Sequence, residues 1–277
     1  MILITGINGF IANNLLNKLK SNPDIEVYGT TKQDSSKILE ILNEKKPEYI
    51  YHTGAEIYNN DFMFESNIFL TYNILEYCRK AKNLKRLIII GSSSEYGRKT
   101  KPMSEDDILE PQTIYEGTKA ACTMLARCYS HTYNIPIFIV RPFTVYGPYE
   151  KPNKFLQILF RKKSNNDKTV SISNGCHDYI YIDDFLEALF EILDKNNKTF
   201  DIINIGSGIQ TSNLEIVKIF EKVTNYYFEI YLPLESKLYD SEMWVSDNTK
   251  LNEFFKIKIN LYEGIDKINK FYLGMLN

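Results

Sequence analysis

ILITGINGFIA, residues 2–12, is the stretch that decides the fold of this chain. Its first three residues are apolar and predict a buried strand, and regularly spaced leucines after the stretch predict an amphipathic helix. Between strand and helix, Gly6 permits a tight turn and Gly9 lets the backbone approach a pyrophosphate closely. The helix then begins with N–H donors and the positive end of its dipole. The residues expected to contact a dinucleotide cofactor here are Gly6, Asn8, Gly9, Phe10 and Ile11.

The rest of the first half alternates strand and helix patterns. The apolar run 87–90 predicts a central parallel strand, because such strands are buried on both faces. The strand predicted at 49–55 ends in small residues, where a cofactor could lie against the backbone, and Thr53 is its candidate contact. This alternation predicts an α/β fold of the Rossmann type, with a doubly wound parallel sheet.

Pro and Gly residues in the segment 141–148 end the regular alternation. We therefore expect a dinucleotide-binding domain at 1–148, to which residues 175–206 return. A smaller C-terminal substrate-binding lobe is expected at 149–174 and 207–277. The chain of 277 residues, 44% of them hydrophobic, is long enough for this arrangement.

Composition excludes several other classes of protein. The net charge is −2 and no long basic block occurs, which argues against nucleic acid or an anionic membrane surface as the main partner. No run of about 18 apolar residues predicts a membrane span, and no signal peptide is recognisable. The four cysteines lack C-x-x-C or Cys/His ligand spacing, so we expect reduced thiols, no metal site and a cytoplasmic protein.

The end of the second predicted strand bears on the choice of cofactor. An acidic residue there would bind the ribose hydroxyl of NAD and repel the 2′-phosphate of NADP. This chain instead has Thr30, Thr31 and Lys32. Because hydroxyls and an ammonium suit a phosphate, Thr31 and Lys32 predict NADP(H), with NAD as the alternative.

Tyr115-Glu116-Gly117-Thr118-Lys119 is the candidate catalytic stretch. Positions i and i+4 of a helix share one face, so the phenol and the ammonium point the same way. A phenol beside an ammonium can exchange a proton with an alcohol or carbonyl oxygen. The serines 92–94 follow the strand 87–90, and a hydroxyl at the carboxyl end of a parallel strand is a candidate hydrogen-bond donor to substrate.

Six motifs in this order resemble the extended short-chain dehydrogenase/reductase family, in particular its nucleotide-sugar branch. They are TGINGFIA (5–12), SSSEYG (92–97), YEGTK (115–119), RPFTVYGP (141–148), HDYIYIDD (177–184) and NIGSG (204–208). The resemblance covers nearly the whole chain. It implies a Rossmann domain that binds NAD(P), a lobe that binds a nucleotide-sugar, and pairing of helices into a homodimer.

The resemblance also assigns roles to individual residues. Tyr115 looks like the acid/base, Lys119 like its tuner and a ribose ligand, and Ser92 like the catalytic hydroxyl, with Ser93 as the alternative. Asn67 corresponds to an Asn that we interpret as structural support. The remaining expected contacts are Pro142 with the cofactor, and Ser93, Ser94, Thr144 and His177 with the substrate.

Three reactions occur in this branch: 4-epimerisation, 4,6-dehydration and 4-keto reduction. Dehydratases of the family add a carboxylate beside the catalytic hydroxyl, but the positions here are Ser93 and Ser94, and Glu95 comes one place late. With Thr31 and Lys32, the leading hypothesis is NADPH-dependent reduction of a nucleotide-linked 4-keto-6-deoxy sugar. A nucleotide-sugar 4-epimerase with bound NAD is the alternative, and a 4,6-dehydratase or a non-catalytic dinucleotide-binding protein is disfavoured.

Overall fold

The structure is a computed structural model that describes residues 1–232 and 243–274. In chain order its strands are β1 (Ile2–Thr5), β2 (Val27–Thr30), β3 (Tyr49–His52), β4 (Arg86–Ile90), β5 (Ile137–Pro142), β6 (Thr144–Tyr146), β7 (Thr169–Ser171), β8 (Cys176–Tyr181), β9 (Phe200–Ile205), β10 (Gln210–Ser212) and β11 (Glu229–Tyr231). Its α-helices are α1 (Phe10–Lys20), α2 (Ile38–Lys45), α3 (Asn60–Met63), α4 (Leu70–Lys80), α5 (Ile114–Tyr133), α6 (Phe155–Ser164), α7 (Ile182–Lys195), α8 (Asn213–Thr224) and α9 (Leu261–Gly274). A π-helical turn, Phe64–Phe69, joins α3 to α4, and short 3₁₀ turns occur at Lys32–Lys37, Ser93–Tyr96 and Leu251–Glu253.

The chain divides into two compact units. The first comprises Met1–Gly97, Glu105–Pro142 and Leu193–Asn204, and the second comprises Arg98–Ser104, Phe143–Ile192 and the described part of Ile205–Asn277. The expected lobe also included residues 233–242 and 275–277, which lie outside the described residues.

The first unit is built on a six-stranded sheet in the order β2-β1-β3-β4-β5-β9. The pairings from β2 through β5 are all parallel. One buried cluster joins alternate residues of the central strands, such as Leu3, Ile50 and Ile89, to apolar residues of α2, α4 and α5. This is the Rossmann-like α/β architecture with a parallel central sheet that the strand and helix patterns predicted.

The second unit contains a three-stranded sheet in the order β10-β8-β6 and a parallel pair, β11 and β7. Residues 175–206 were expected to return to the first domain, but the first unit takes back only Leu193–Asn204. The reason is hydrogen bonding: β8 runs parallel to β6 and antiparallel to β10, so it clusters with the second unit. Aromatic side chains pack edge to face here, with Tyr146 against both Tyr179 and Tyr181.

Candidate active site

The glycine-rich turn between β1 and α1 has the geometry of a phosphate-binding loop. Gly6 has φ +69°, and a Cβ there would lie 2.7 Å from the Cα of Gly54, so only glycine fits. The amide of Gly9 donates to the carbonyl of Gly6 at 2.8 Å, which closes the turn. No side chain caps the start of α1, and its first turn has no acidic residue. The first N–H groups of α1 therefore suit the pyrophosphate of a dinucleotide.

A buried chain of hydrogen bonds begins at Thr5, the last residue of β1, and supports this turn. The Thr5 hydroxyl bonds Nδ1 of His52 at 2.9 Å, and Nε2 of His52 bonds the Thr71 hydroxyl at 2.9 Å. Burial, with the charge of Lys119 as a smaller cause, lowers the pKa of His52 to about 3, so this imidazole is neutral. Thr53, an expected cofactor contact, donates its own hydroxyl to the carbonyl of Thr5 at 2.5 Å.

At the end of β2, the two residues expected to bind a phosphate are paired with carboxylates. The amide and the hydroxyl of Thr31 both donate to Asp34, at 2.7 and 2.9 Å. The ammonium of Lys32 lies 2.9 Å from a carboxylate oxygen of Glu56. Hydrogen bonds from Thr31 lower the pKa of Asp34, and those from Lys32 and then from backbone amides lower the pKa of Glu56 to about 2. Two ionised carboxylates therefore flank Thr31 and Lys32.

The serine turn after β4 is a 3₁₀ turn that Ser92 caps. The amide of Ser94 donates to the Ser92 hydroxyl oxygen at 3.2 Å, and the hydroxyls of Ser92 and Ser94 are 2.7 Å apart. Ser92 and Ser94 are half-buried, whereas Ser93 is buried. Of the two candidates for the catalytic hydroxyl, Ser92 is therefore the more accessible.

Glu95, which follows these serines, is completely buried. One of its carboxylate oxygens accepts from the Ser92 amide at 2.9 Å, and the other accepts from Nε of Arg141 at 3.0 Å. Arg141 is buried as well, and its Nη1 donates to the hydroxyl of Tyr96 at 2.8 Å. Burial alone would lower the pKa of Arg141, but the adjacent Glu95 and Tyr96 reverse the shift and raise it. Glu95 is therefore a paired interior group with no exposed oxygen to offer a substrate.

The helix α5 carries the candidate acid/base. Thr113 and Glu116 form a capping box at its start, which satisfies the first amides of the helix. Tyr115 is half-buried in the first turn, and Lys119 lies one turn later. The ammonium of Lys119 donates to the carbonyl of Ile90 at 2.5 Å, so it lies beside the end of β4, where Ser92 follows.

Asn67 in the π-helical turn supports α5. Its amide group donates to the Thr118 hydroxyl at 2.9 Å, and that hydroxyl donates to the carbonyl of Tyr115 at 2.8 Å. Asn67 also exchanges hydrogen bonds with the backbone of Glu56, at 2.7 and 3.0 Å. One interior side chain thus holds both the Tyr115 turn and the backbone of Glu56, the residue whose carboxylate pairs with Lys32. Turns of the π type are frequent at functional sites.

Three further expected contacts lie on the later strands. Pro142 is the half-buried last residue of β5 in the first unit. Thr144 and His177 belong to the second unit, where Thr144 on β6 is in register with Tyr179 of β8. His177 is half-buried, with its ring centroid 6.0 Å from that of Tyr179. Their roles toward a ligand stay predictions.

Sequence reasoning missed Asp34, Glu56 and Arg141 as partners of the site. Asp34 had a local signal, because a carboxylate three residues after a Thr is a capping box. Glu56 and Arg141 had none, since they are 24 and 46 residues from the side chains they pair with.

No group of three or more His, Cys, Asp or Glu side chains within residues 1–232 and 243–274 is arranged to hold a metal ion. Among the helices that the structure describes, none is both long enough and apolar enough to cross a membrane.

Comparison with known proteins places this geometry in a family. "Protein CapI" of Staphylococcus aureus is 28% identical over 329 aligned residues, which cover 98% of each chain. The solved UDP-glucuronic acid 4-epimerase of Bacillus cereus, in complex with UDP-glucuronic acid and NAD, has a TM-score of 0.88 and 26% identity over 100% of this chain and 99% of that one. The dTDP-glucose 4,6-dehydratase of Bacillus anthracis, in complex with NAD, shares the fold with a TM-score of 0.86 at 20% identity, over 99% of this chain and 96% of that one. Residues 2–206 match the model of the NAD dependent epimerase/dehydratase family, and the chain belongs to that family.

Proposed function

We propose that this protein is an NAD-dependent 4-epimerase of a UDP-linked hexose or hexuronic acid. The observation that carries the proposal is the charge at the end of β2, where Glu56 neutralises Lys32 and Asp34 holds Thr31. Carboxylates there suit the hydroxyls of an adenosine ribose and repel the extra phosphate of NADP. The Bacillus cereus 4-epimerase, which binds NAD and UDP-glucuronic acid, supports both the cofactor and the class of substrate.

The mechanism assigns one proton-transfer group. NAD, when bound, supplies the hydride acceptor and donor that inversion at C4 of the sugar requires. Tyr115 would remove the proton of the 4-hydroxyl and later return it, while the Ser92 hydroxyl donates a hydrogen bond to the same oxygen. Lys119 places its positive charge on the same face of α5 as Tyr115.

Elimination of water is disfavoured by what surrounds Ser92. A 4,6-dehydratase needs a second acid beside the catalytic hydroxyl, and Ser93 and Ser94 occupy those places. Glu95 comes one position after these serines, and it cannot serve as the second acid. Both of its carboxylate oxygens are buried and accept hydrogen bonds from Ser92, Thr123 and Arg141. Tyr115 is therefore the proposed acid/base for the whole reaction.

A second candidate is NADPH-dependent reduction of a nucleotide-linked 4-keto-6-deoxy sugar. It is favoured by the exposure of Lys32, whose side chain is 62% accessible and could turn from Glu56 toward a phosphate. The two functions differ in whether cofactor is consumed, which makes them easy to separate.

The test is to incubate the purified protein, without added cofactor, with UDP-glucose, UDP-galactose, UDP-glucuronic acid and UDP-galacturonic acid. We expect NMR to show conversion of at least one sugar to its C4 epimer, and denaturation to release NAD. In parallel, NADPH and nucleotide-linked 4-keto-6-deoxy sugars are mixed with the protein, and absorbance of the reduced cofactor is followed. Oxidation of NADPH there, with no epimer formed in the first arm, would establish the reductase instead.

The role of Tyr115 has its own test. Tyr115→Phe should keep the bound NAD but lower kcat by about 10²–10⁴-fold, because the general acid/base is lost while the fold is unchanged. Tyr129→Phe, which removes a hydroxyl that bonds Glu76 elsewhere in the unit, is the matched control. Turnover by Tyr115→Phe at the control's level would refute the assignment.

Pairing with a second copy is proposed from the surface of the first unit. Helices α4 and α5 pack together and leave Tyr72, Ile114 and Met124 exposed, with Phe69 beside them. Apolar side chains of this size on adjacent helices suit a helical interface between two identical chains. Light scattering should give a mass twice that of the chain, and Met124→Glu should reduce the mass to that of a single chain.

A cytoplasmic location stays a prediction.

A further inference from the structure

A buried ion pair lies directly behind the serine turn. Glu95 is 0% exposed and Arg141 is 1% exposed, with 3.0 Å between the carboxylate and Nε. Taking two charges out of water is costly, and apolar residues of similar size would fill such a space with equal or greater stability. Directed hydrogen bonds fix the relative positions of the groups that they join, whereas apolar contacts do not. We therefore ask which groups this ion pair holds in place.

The Glu95 carboxylate joins three elements of the first unit. It accepts from the Ser92 amide at 2.9 Å on the serine turn, and from the Thr123 hydroxyl at 2.7 Å on α5. Its third donor is Arg141 of β5. Thr123 lies four residues after Lys119 and eight after Tyr115, on the same face of the helix. The carboxylate is thus a direct link between the Ser92 turn and the helix that carries the acid/base.

The link reaches the Ser92 hydroxyl through the turn itself. Glu95 holds the Ser92 amide, and the Ser94 amide holds the Ser92 hydroxyl oxygen at 3.2 Å. The Ser94 hydroxyl also lies 2.7 Å from the Ser92 oxygen, so both hydrogen-bond partners of the Ser92 hydroxyl belong to the turn that Glu95 holds. Gly91 lets the carboxylate come this close, because a Cβ on Gly91 would lie 2.5 Å from a carboxylate oxygen of Glu95.

We propose that Glu95 is a positioning residue that fixes the Ser92 hydroxyl relative to Tyr115 by tying the serine turn to α5 and β5. The inference rests on the proposed function, since it takes Ser92 as the group that holds the reacting oxygen. Glu95 acts through Ser92 and touches no substrate. A displacement of a hydrogen-bond donor by about 1 Å is enough to lower a rate by about 10²-fold, so loosening this turn should affect turnover more than binding.

The test compares Glu95→Gln, which keeps the shape, with the control Glu105→Gln, whose carboxylate binds the backbone amide of Asn204 instead. We expect Glu95→Gln to lower kcat about tenfold or more, with KM for the sugar and the content of bound NAD within about twofold of wild type. Thr123→Val removes a single donor without touching the ion pair, and it should lower kcat by a smaller factor. The proposal would be overturned if kcat of Glu95→Gln fell no further than kcat of the control. It would also be overturned if the content of bound NAD fell by the same factor as kcat.

Hydrogen exchange provides a readout that needs no substrate. The amides of Ser92 and Ser94 should exchange about tenfold faster in Glu95→Gln and in Thr123→Val than in wild type, while amides of the strands β1 and β3 keep their rates. Unchanged exchange at the serine turn in both variants would overturn the proposal even if turnover falls. If wild type acts on no sugar offered, the proposed function fails, and the exchange result still decides whether Glu95 fixes the turn.

Discussion

Two ion pairs of the first unit differ in almost every physical respect. Lys32 and Glu56 meet at the surface, with 62% and 17% of their side chains exposed, whereas Arg141 and Glu95 are 1% and 0% exposed. The surface pair is worth about 0.2–1 kcal/mol, while leaving one member of a buried pair alone costs about 3–5 kcal/mol. The first can therefore change partners when a ligand arrives, and the second cannot. Selectivity for the cofactor is suited to the one, and fixed geometry to the other.

The largest effect is expected from leaving the buried carboxylate unpaired. Arg141→Met should lower the free energy of unfolding by about 3–5 kcal/mol, because Glu95 then stays in the interior without its cation. Urea denaturation followed by circular dichroism measures this. The double variant Arg141→Met/Glu95→Leu should recover most of the loss. A loss below about 1 kcal/mol in the single variant would remove the contrast between the two pairs.

A smaller loss is expected where the carboxylate is crowded. Gly91→Ala places a Cβ 2.5 Å from a carboxylate oxygen of Glu95, so the acid must move or the turn must shift. We expect a loss of about 1–3 kcal/mol in the same denaturation experiment, which is typical of overpacking. Gly117→Ala is the control, since a Cβ there meets nothing within 4 Å. Equal stability of the two variants would show that the position of the Glu95 carboxylate is not tightly constrained.

At the surface pair, the effect should appear in selectivity and leave stability nearly unchanged. Glu56→Gln frees the Lys32 ammonium, so affinity for NADP should rise about five- to tenfold while affinity for NAD changes less than twofold. Calorimetry with each cofactor measures this, and Glu65→Gln, an exposed acid nearby in the chain, is the control. A parallel change for both cofactors would mean that Glu56 does not influence the choice between them.

The smallest effect is the dependence of the surface pair on pH and salt. The hydrogen bond from Lys32 lowers the pKa of Glu56 in the folded chain from its ordinary value of 4.5 to about 2. The stabilisation from Glu56 is therefore present above pH 4.5 and is lost as the pH falls toward 2. The difference in melting temperature between wild type and Glu56→Gln should therefore shrink between pH 6 and pH 3. Raising salt from about 0.05 to 0.5 M should shrink it too, but should leave the deficit of Arg141→Met unchanged.

Much of the fold was predictable because its signals are local. The run at 2–4, the glycines at 6 and 9 and the leucines after them are close in sequence, and they form β1, the turn and α1 as expected. The return of residues 175–206 was predicted too broadly. The choice between two sheets for β8 depends on hydrogen bonds to β6 and β10, strands up to about 35 residues away, which no local pattern reports.

The candidate site divides in the same way. Spacing within α5 was enough to place Tyr115 and Lys119 on one face, and the serine turn could be expected at the end of β4. The prediction of NADP rested on Thr31 and Lys32 as isolated side chains. Their environment adds Asp34 and Glu56, and the relatives in solved complexes hold NAD, so a preference for NADP is not shown.

By itself, the sequence determined the elements that depend on neighbours along the chain: the glycine turn, the helix with Tyr115 and Lys119, and the alternation of strands and helices that is typical of a parallel α/β fold. Only the tertiary structure decided which charges meet, because Lys32 with Glu56 and Glu95 with Arg141 are brought together by strands that are distant in sequence. The degree of exposure, which is also set only on folding, then leaves the surface pair exchangeable and the buried pair fixed.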